Sequence, residues 1–216
     1  MIRPCHGWQG FFIWGSDVGI EATMMNVIII GAQASGKMTI GQELEKVSDL
    51  KLFHNHDSID FVTRFLPMSP EARELIDTIR FDFFEAFVKA DRGLIFTVVI
   101  DFNDENDLDF LRRIQEIFHS FEREVLFVEL ETDLQERLRR NTTENRLQHK
   151  PWKRNVEWSE SDILSTIEYA CFNPKKKPKD LVHYVKINNT DLSAKATAEL
   201  IRDKMEQIEG GADENP

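Results

Sequence analysis

The chain has 216 residues, 41% of them apolar and 30% charged, and a formal net charge of -11 at pH 7. That length suits one domain with a sizeable buried core, and no apolar run approaches the roughly 18 residues that a membrane-spanning helix needs. The acidic balance argues against a surface built mainly to grip nucleic acid, while a local basic patch could still bind small anions.

Residues 1–24, MIRPCHGWQGFFIWGSDVGIEATM, mix glycines and aromatics without a period and lack the basic start, long apolar stretch and cleavage site of a signal peptide. They read as an extension, and the folded domain is expected to start beside the Met24-Met25 pair and to span 25–208. Cys5 and Cys171 are far apart and form no CxxC or metal-ligand spacing, which suits a reducing, cytoplasmic compartment.

In chain order, 26-NVIII-30 reads as a fully buried strand, and a helical pattern follows at 37–47. A weaker strand, 51-KLFHNH-56, leads into a loop. Ser69-Pro70 is a good N-cap and first-turn pair for a helix over 70–90, with Leu75, Ile76, Ile79, Phe83 and Phe87 on one face. A second buried strand, 94-LIFTVVI-100, precedes a helix over 106–121, and a third, 125-VLFVELE-131, precedes an arginine-rich segment over 134–155. The stretch 183-HYVKIN-188 alternates as a half-exposed strand does, and a helix over 193–208 closes the domain. Residues 209–216 read as a flexible acidic tail. Repeated β-α units imply a parallel α/β sheet covered on both faces, with ligands at the carboxyl ends of the strands.

Between the first strand and the first helix stands 31-GAQASGKMTI-40, which is nearly the phosphate-loop pattern GxxxxGK[ST]. Gly31, Gly36 and Lys37 are in register, Met38 replaces the magnesium-binding hydroxyl, and Thr39 offers a hydroxyl one residue late. Backbone amides across Ala32, Gln33, Ala34 and Ser35 can surround phosphate oxygens, the helix N-terminus adds positive potential, and Lys37 supplies a mobile cation. The strand before and the helix after are the setting that separates such a loop from a chance match.

Further candidates lie along the same edge. Asp101 ends the apolar run 97-TVVID-101, where a carboxylate can order magnesium. Phe102 follows it, so the Asp-Glu pair that polarises water in motor-type ATPases is absent, which favours transfer over hydrolysis. Asp57 and Asp60, in 54-HNHDSID-60, could accept a proton from an attacking hydroxyl, ligate magnesium or hold a substrate hydroxyl; alternatively they cap the next helix. Arg137, Arg140 and Arg146 concentrate positive charge suited to polyphosphate, and the break at 141-NTT-143 would let them close as a lid. Arg64 and Arg80 are weaker candidates for a second substrate. The histidines, His54 and His56 included, show no metal-ligand spacing.

The order of parts from about Asn26 to Ile208 resembles the P-loop small-molecule kinases: nucleoside monophosphate kinases, shikimate kinase, and especially a group of bacterial proteins labelled AAA-family ATPase or shikimate kinase-like. The likeness rests on 26-NVIIIGAQASGKMTIGQEL-44, 51-KLFHNH-56, 94-LIFTVVIDF-102 and 127-FVELETDLQERLRRNTTENRLQHKP-151. It implies a three-layer α/β P-loop NTPase fold with a five-stranded parallel sheet in order 2-3-1-4-5 and a short arginine-rich lid. It also implies ATP at Gly31 to Thr39, with Mg2+, and an adenine pocket formed partly by Asn189 and Thr190 in 188-NNTD-191. Met38 and 57-DSID-60 depart from the shikimate kinase pattern. The expected activity is phosphoryl transfer from ATP to a small hydroxylated or phosphorylated acceptor; the rival is a nucleotide-binding module that lost efficient metal binding with the residue-38 hydroxyl. Neither the acceptor nor the oligomeric state is legible.

Overall fold

A computed structural model describes residues 25–142 and 156–211. The extension 1–24, residues 143–155 with Arg146 and most of the expected lid, and residues 212–216 lie outside the described residues. Five strands, β1 (Asn26–Gly31), β2 (Lys51–His54), β3 (Leu94–Val98), β4 (Val125–Glu131) and β5 (His183–Asn188), form one parallel sheet in the order β2-β3-β1-β4-β5. The helices are α1 (Lys37–Lys46), α2 (Asn55–Thr63), α3 (Pro70–Lys89), α4 (Glu105–Ser120), α5 (Leu134–Asn141), α6 (Val156–Ile167) and α7 (Ala194–Gly211).

The continuous apolar runs follow from burial on both sheet faces. Ile28, Ile30, Phe96, Val98, Val125 and Phe127 face a core shared with Phe84 of α3 and Leu111, Ile114 and Phe118 of α4. Their neighbours in sequence, Val27, Ile29, Ile95, Leu126 and Val128, face the other core with Ile40 and Leu44 of α1 and Ala198 and Ile201 of α7. Each fully buried large side chain contributes about 1.5–3 kcal/mol, which is why so few polar residues are tolerated there.

Four local expectations change. The strand expected over 51–56 stops at His54, and 55–63 is helix rather than loop. His54 caps that helix: its Nδ1 accepts the His56 amide at 3.2 Å, and the Asp57 carboxylate accepts the His54 amide at 2.9 Å. On α3, Ser69 caps through the Ala72 amide as expected, but the buried stripe is Ala72, Ile76, Arg80, Phe81, Phe84 and Val88. Leu75 and Phe83 are each 41% exposed, because α3 carries two apolar stripes and the one rotated toward the sheet includes Arg80. β3 ends at Val98, so Asp101 lies three residues beyond it. Finally, α7 continues to Gly211, into the stretch expected as tail. Among the described residues, no helix is long and apolar enough to cross a membrane.

Candidate nucleotide and acceptor site

The loop from Ala32 to Gly36 leaves the carboxyl end of the central strand β1 and enters α1. Two left-handed residues shape it, Ala34 with φ 62° and Gly36 with φ 95°. Only glycine reaches the second geometry without a Cβ penalty. Gly31 is required for a different reason: a Cβ there would lie 2.7 Å from Ser35 Oγ and 3.2 Å from Leu130 Cβ. No side chain caps the N-terminus of α1. The helix dipole favours negative charge at this end. Lys37 is 9% exposed, and its ammonium donates to the carbonyls of Gly31 (2.6 Å) and Ala32 (2.8 Å).

The outer side of the loop is gripped by α5. Arg137 is 6% exposed and donates from Nε to Gln33 O at 2.8 Å. Arg140 donates from Nη1 to Ser35 O at 3.1 Å and from Nη2 to the carbonyls of Asn189 (2.8 Å) and Thr190 (3.1 Å). Asn189 itself donates to Ser35 O at 2.9 Å and accepts from Thr132 Oγ1 at 2.5 Å. Thr190 Oγ1 accepts the amide of Asp133. The two arginines and the 188–191 turn thus meet at the loop, with carbonyls held outward. Glu136 pairs with Arg139 and Arg140, and the hydrogen bonds from those guanidiniums hold its carboxyl down at about 2.

Two cavities lie at this end of the sheet, and α2 contributes to the lining of both. The first, about 210 Å³, is lined by Met38, Gln42, Leu52, His54, His56, Asp57 and Asp60. Burial raises the Asp57 carboxyl above its ordinary range, partly offset by the His54 amide it accepts. The second, about 370 Å³, lies past the end of β3 and is lined by Asn55 and Ile59 of α2, Arg73, Asp77 and Arg80 of α3, and Asn106, Asp107 and Phe110 of α4, among others. Arg80 is fixed there: Nε donates to Ser58 Oγ at 3.0 Å and Nη1 to Asp77 at 3.0 Å, and the guanidinium sits 5.7 Å from the Phe96 ring centroid. Burial lowers its pKa, and Asp77 opposes that shift. Asp107 is raised by burial, against the amide of Asp101 that it accepts.

Arg80 therefore lines a cavity, whereas Arg64 ends α2 on the exposed surface and lines neither one. Asp101 faces neither cavity lining: its Oδ1 accepts the amides of Asn103 (2.9 Å) and Cys171 (2.8 Å), pinning the turn after β3. Asp57 and Asp60 border the Met38 cavity, and Asp57 also serves as the helix cap. The sequence reading missed Arg73, Asp77 and Asp107. The spacing of seven between Arg73 and Arg80, two helical turns on one face, was the available signal.

No protein-family model matches the chain, and no curated protein sequence matches it. Solved structures do match in fold. A gluconokinase from Sinorhizobium meliloti 1021 aligns with a TM-score of 0.58 at 10% identity, over 88% of this chain and 96% of its own. A sugar kinase from Janibacter sp. HTCC2649 aligns at 0.53 and 15% identity, over 87% and 97%. The APS kinase of Mycobacterium tuberculosis, solved with AMPPNP and APS, aligns at 0.51 and 12% identity, over 85% and 98%. With a parallel sheet in the order β2-β3-β1-β4-β5 and a phosphate-type loop leaving its central strand, the chain has the P-loop small-molecule kinase fold.

Proposed function

We propose that the protein transfers the γ-phosphoryl group of ATP to a small hydroxylated or phosphorylated acceptor. The observation that carries this reading is the pairing of an uncapped, outward-held phosphate loop with a separate polar cavity at the same sheet edge. A pure binding module has no use for the second cavity. The kinases among the structural neighbours support the generic activity.

In this reading the loop amides and Lys37 hold the β and γ phosphates, with Lys37 leaving the Gly31 and Ala32 carbonyls to do so. Asn189 and Thr190 border the adenine. Arg137 and Arg140 fix the loop from outside and keep positive charge beside it, and Arg146 adds to that charge from the segment after α5. The smaller cavity, bordered by Asp57 and Asp60, receives the reacting hydroxyl of the acceptor, and the larger one, with Arg80 and Arg73 as its cationic side, holds the rest of it. Asp57 is the carboxylate that takes the proton from an attacking hydroxyl, its raised pKa bringing it closer to that task. A divalent ion on the nucleotide supplies charge neutralisation as the phosphoryl group moves. Thr39, the acids bordering the Met38 cavity and Asp101, whose Oδ1 already accepts the Asn103 and Cys171 amides, are the candidate oxygen ligands for it.

Met38 favours the second reading, a nucleotide-binding module with little turnover. ATP consumption with magnesium, measured with and without a panel of sugars, sugar acids, nucleosides and nucleotides, separates the two. Acceptor-stimulated turnover that is lost in Lys37→Ala supports transfer. Tight ATP binding with no turnover on any acceptor refutes it.

A further inference from the structure

The residue after the phosphate-loop lysine normally carries the hydroxyl that binds magnesium. Here it is Met38, whose thioether is a poor ligand for a hard cation. Met38 lines the 210 Å³ cavity together with His54, His56, Asp57 and Asp60. The cavity beside the residue that normally supplies the hydroxyl is lined with imidazoles and carboxylates. His56 and Asp60 are one turn apart on α2, so their side chains leave the same face. Their Nδ1 and Oδ1 atoms are 3.9 Å apart. Two ligands of one ion with bonds of about 2.1–2.2 Å lie about 3–4.3 Å apart, depending on the angle between them.

His54 positions this pair. It is 8% exposed, its Nδ1 accepts the His56 amide and lies 3.3 Å from Thr97 Oγ1, and its ring stands edge-on to that of His56, with centroids 5.2 Å apart. Among the described residues, no three such side chains converge to hold a metal alone. Two protein ligands leave the remaining positions for phosphate oxygens and water, so the ion arrives with the nucleotide.

We propose that His56 and Asp60 bind the divalent cation carried by the nucleotide, in place of the missing loop hydroxyl. An imidazole ligand shifts the preference from Mg2+ toward a borderline ion such as Mn2+ or Co2+. The proposal rests on the nucleotide-binding part of the reading above, and it leaves Asp57 as the carboxylate for the acceptor.

The test uses the full chain and a non-hydrolysable ATP analogue, titrated calorimetrically with Mg2+ or with Mn2+, and pulsed EPR of the Mn2+ complex for coupling to an imidazole nitrogen. Binding about tenfold tighter with Mn2+, together with nitrogen coupling, is expected. His56→Ala abolishes the coupling and the preference, and Met38→Ser narrows the preference by improving the Mg2+ complex. Circular dichroism of both variants checks that they fold; if His56→Ala does not, His56→Gln replaces it, with the coupling again lost. Equal affinity for the two complexes, or no nitrogen coupling in the wild type, overturns the proposal while leaving the phosphotransferase reading intact. Coupling that survives His56→Ala overturns the assignment to His56. Failure to bind nucleotide with any cation overturns both.

Discussion

Replacing Arg140 with Met keeps most of the side-chain stem and removes the guanidinium that joins α5, the phosphate loop and the turn after β5. Three donated bonds to backbone carbonyls are lost, at 3.1, 2.8 and 3.1 Å. A charge-assisted bond contributes about 1.5–3 kcal/mol when its partner is left unsatisfied. Two features lower that figure here. Ser35 O keeps the Asn189 amide at 2.9 Å, and the Arg140 side chain is 18% exposed, so water can reach the vacated carbonyls. About 1 kcal/mol per bond is then reasonable, and the Glu136 pair, screened by solvent, adds a fraction of that. The sum, about 3 kcal/mol, corresponds to a fall in Tm of about 6–12 °C for a domain of this size. Thermal unfolding followed by circular dichroism measures it. Arg140→Lys can restore one bond and should recover about a third of the loss. Nucleotide affinity should fall at least about tenfold in Arg140→Met, since about 1.4 kcal/mol of loop preorganisation suffices for that. A Tm within about 2 °C of wild type, with unchanged affinity, refutes the view that Arg140 ties these segments together.

Three further outcomes follow from the same geometry. Gly31→Ala should weaken nucleotide binding by roughly one to two orders of magnitude, since its Cβ meets Ser35 Oγ at 2.7 Å and Leu130 Cβ at 3.2 Å; overpacking of this kind costs about 1–3 kcal/mol, and adding Ser35→Ala should recover part of the binding in a titration. Arg80→Met should raise the acceptor KM without altering nucleotide affinity, and steady-state kinetics showing equal effects on both would remove Arg80 from the acceptor cavity. Glu136 is held at about 2 by hydrogen bonds from Arg139 and Arg140. A folded pKa below the unfolded one stabilises at pH above the ordinary carboxylate value and loses that contribution as pH falls toward 2. The Tm advantage of wild type over Glu136→Gln should therefore shrink between about pH 5 and pH 2.

The sheet was legible because its central strands are buried on both faces, so 26-NVIII-30 and 125-VLFVELE-131 can be little else. The loop was legible because close approach at Gly31 and a left-handed residue at Gly36 both demand glycine. The start of α2 was not: its cap is a histidine nitrogen, outside the usual serine, threonine, aspartate and asparagine signal. Nor was the phase of α3, where Phe83 and Phe84 compete to face the sheet and a buried arginine settles it. The larger cavity draws Asn55, Arg73, Asp107 and Val98 from four separate elements, and no local pattern announces a cavity assembled by tertiary packing. The end of β3 was not legible either: the strand stops at Val98, so the acid that ends the apolar run, Asp101, does not end the strand.

Arg137 and Arg140 stand on one short helix and each takes hold of a different carbonyl of the phosphate loop, at Gln33 and at Ser35. A peptide whose oxygen is tethered on one side presents its N–H on the other. The helix therefore acts as a pair of reins on the loop, setting which way its amides look before any phosphate arrives. A change on the outer surface of α5, far from the reacting atoms, is transmitted to the anion cradle as a rotation of two peptide planes.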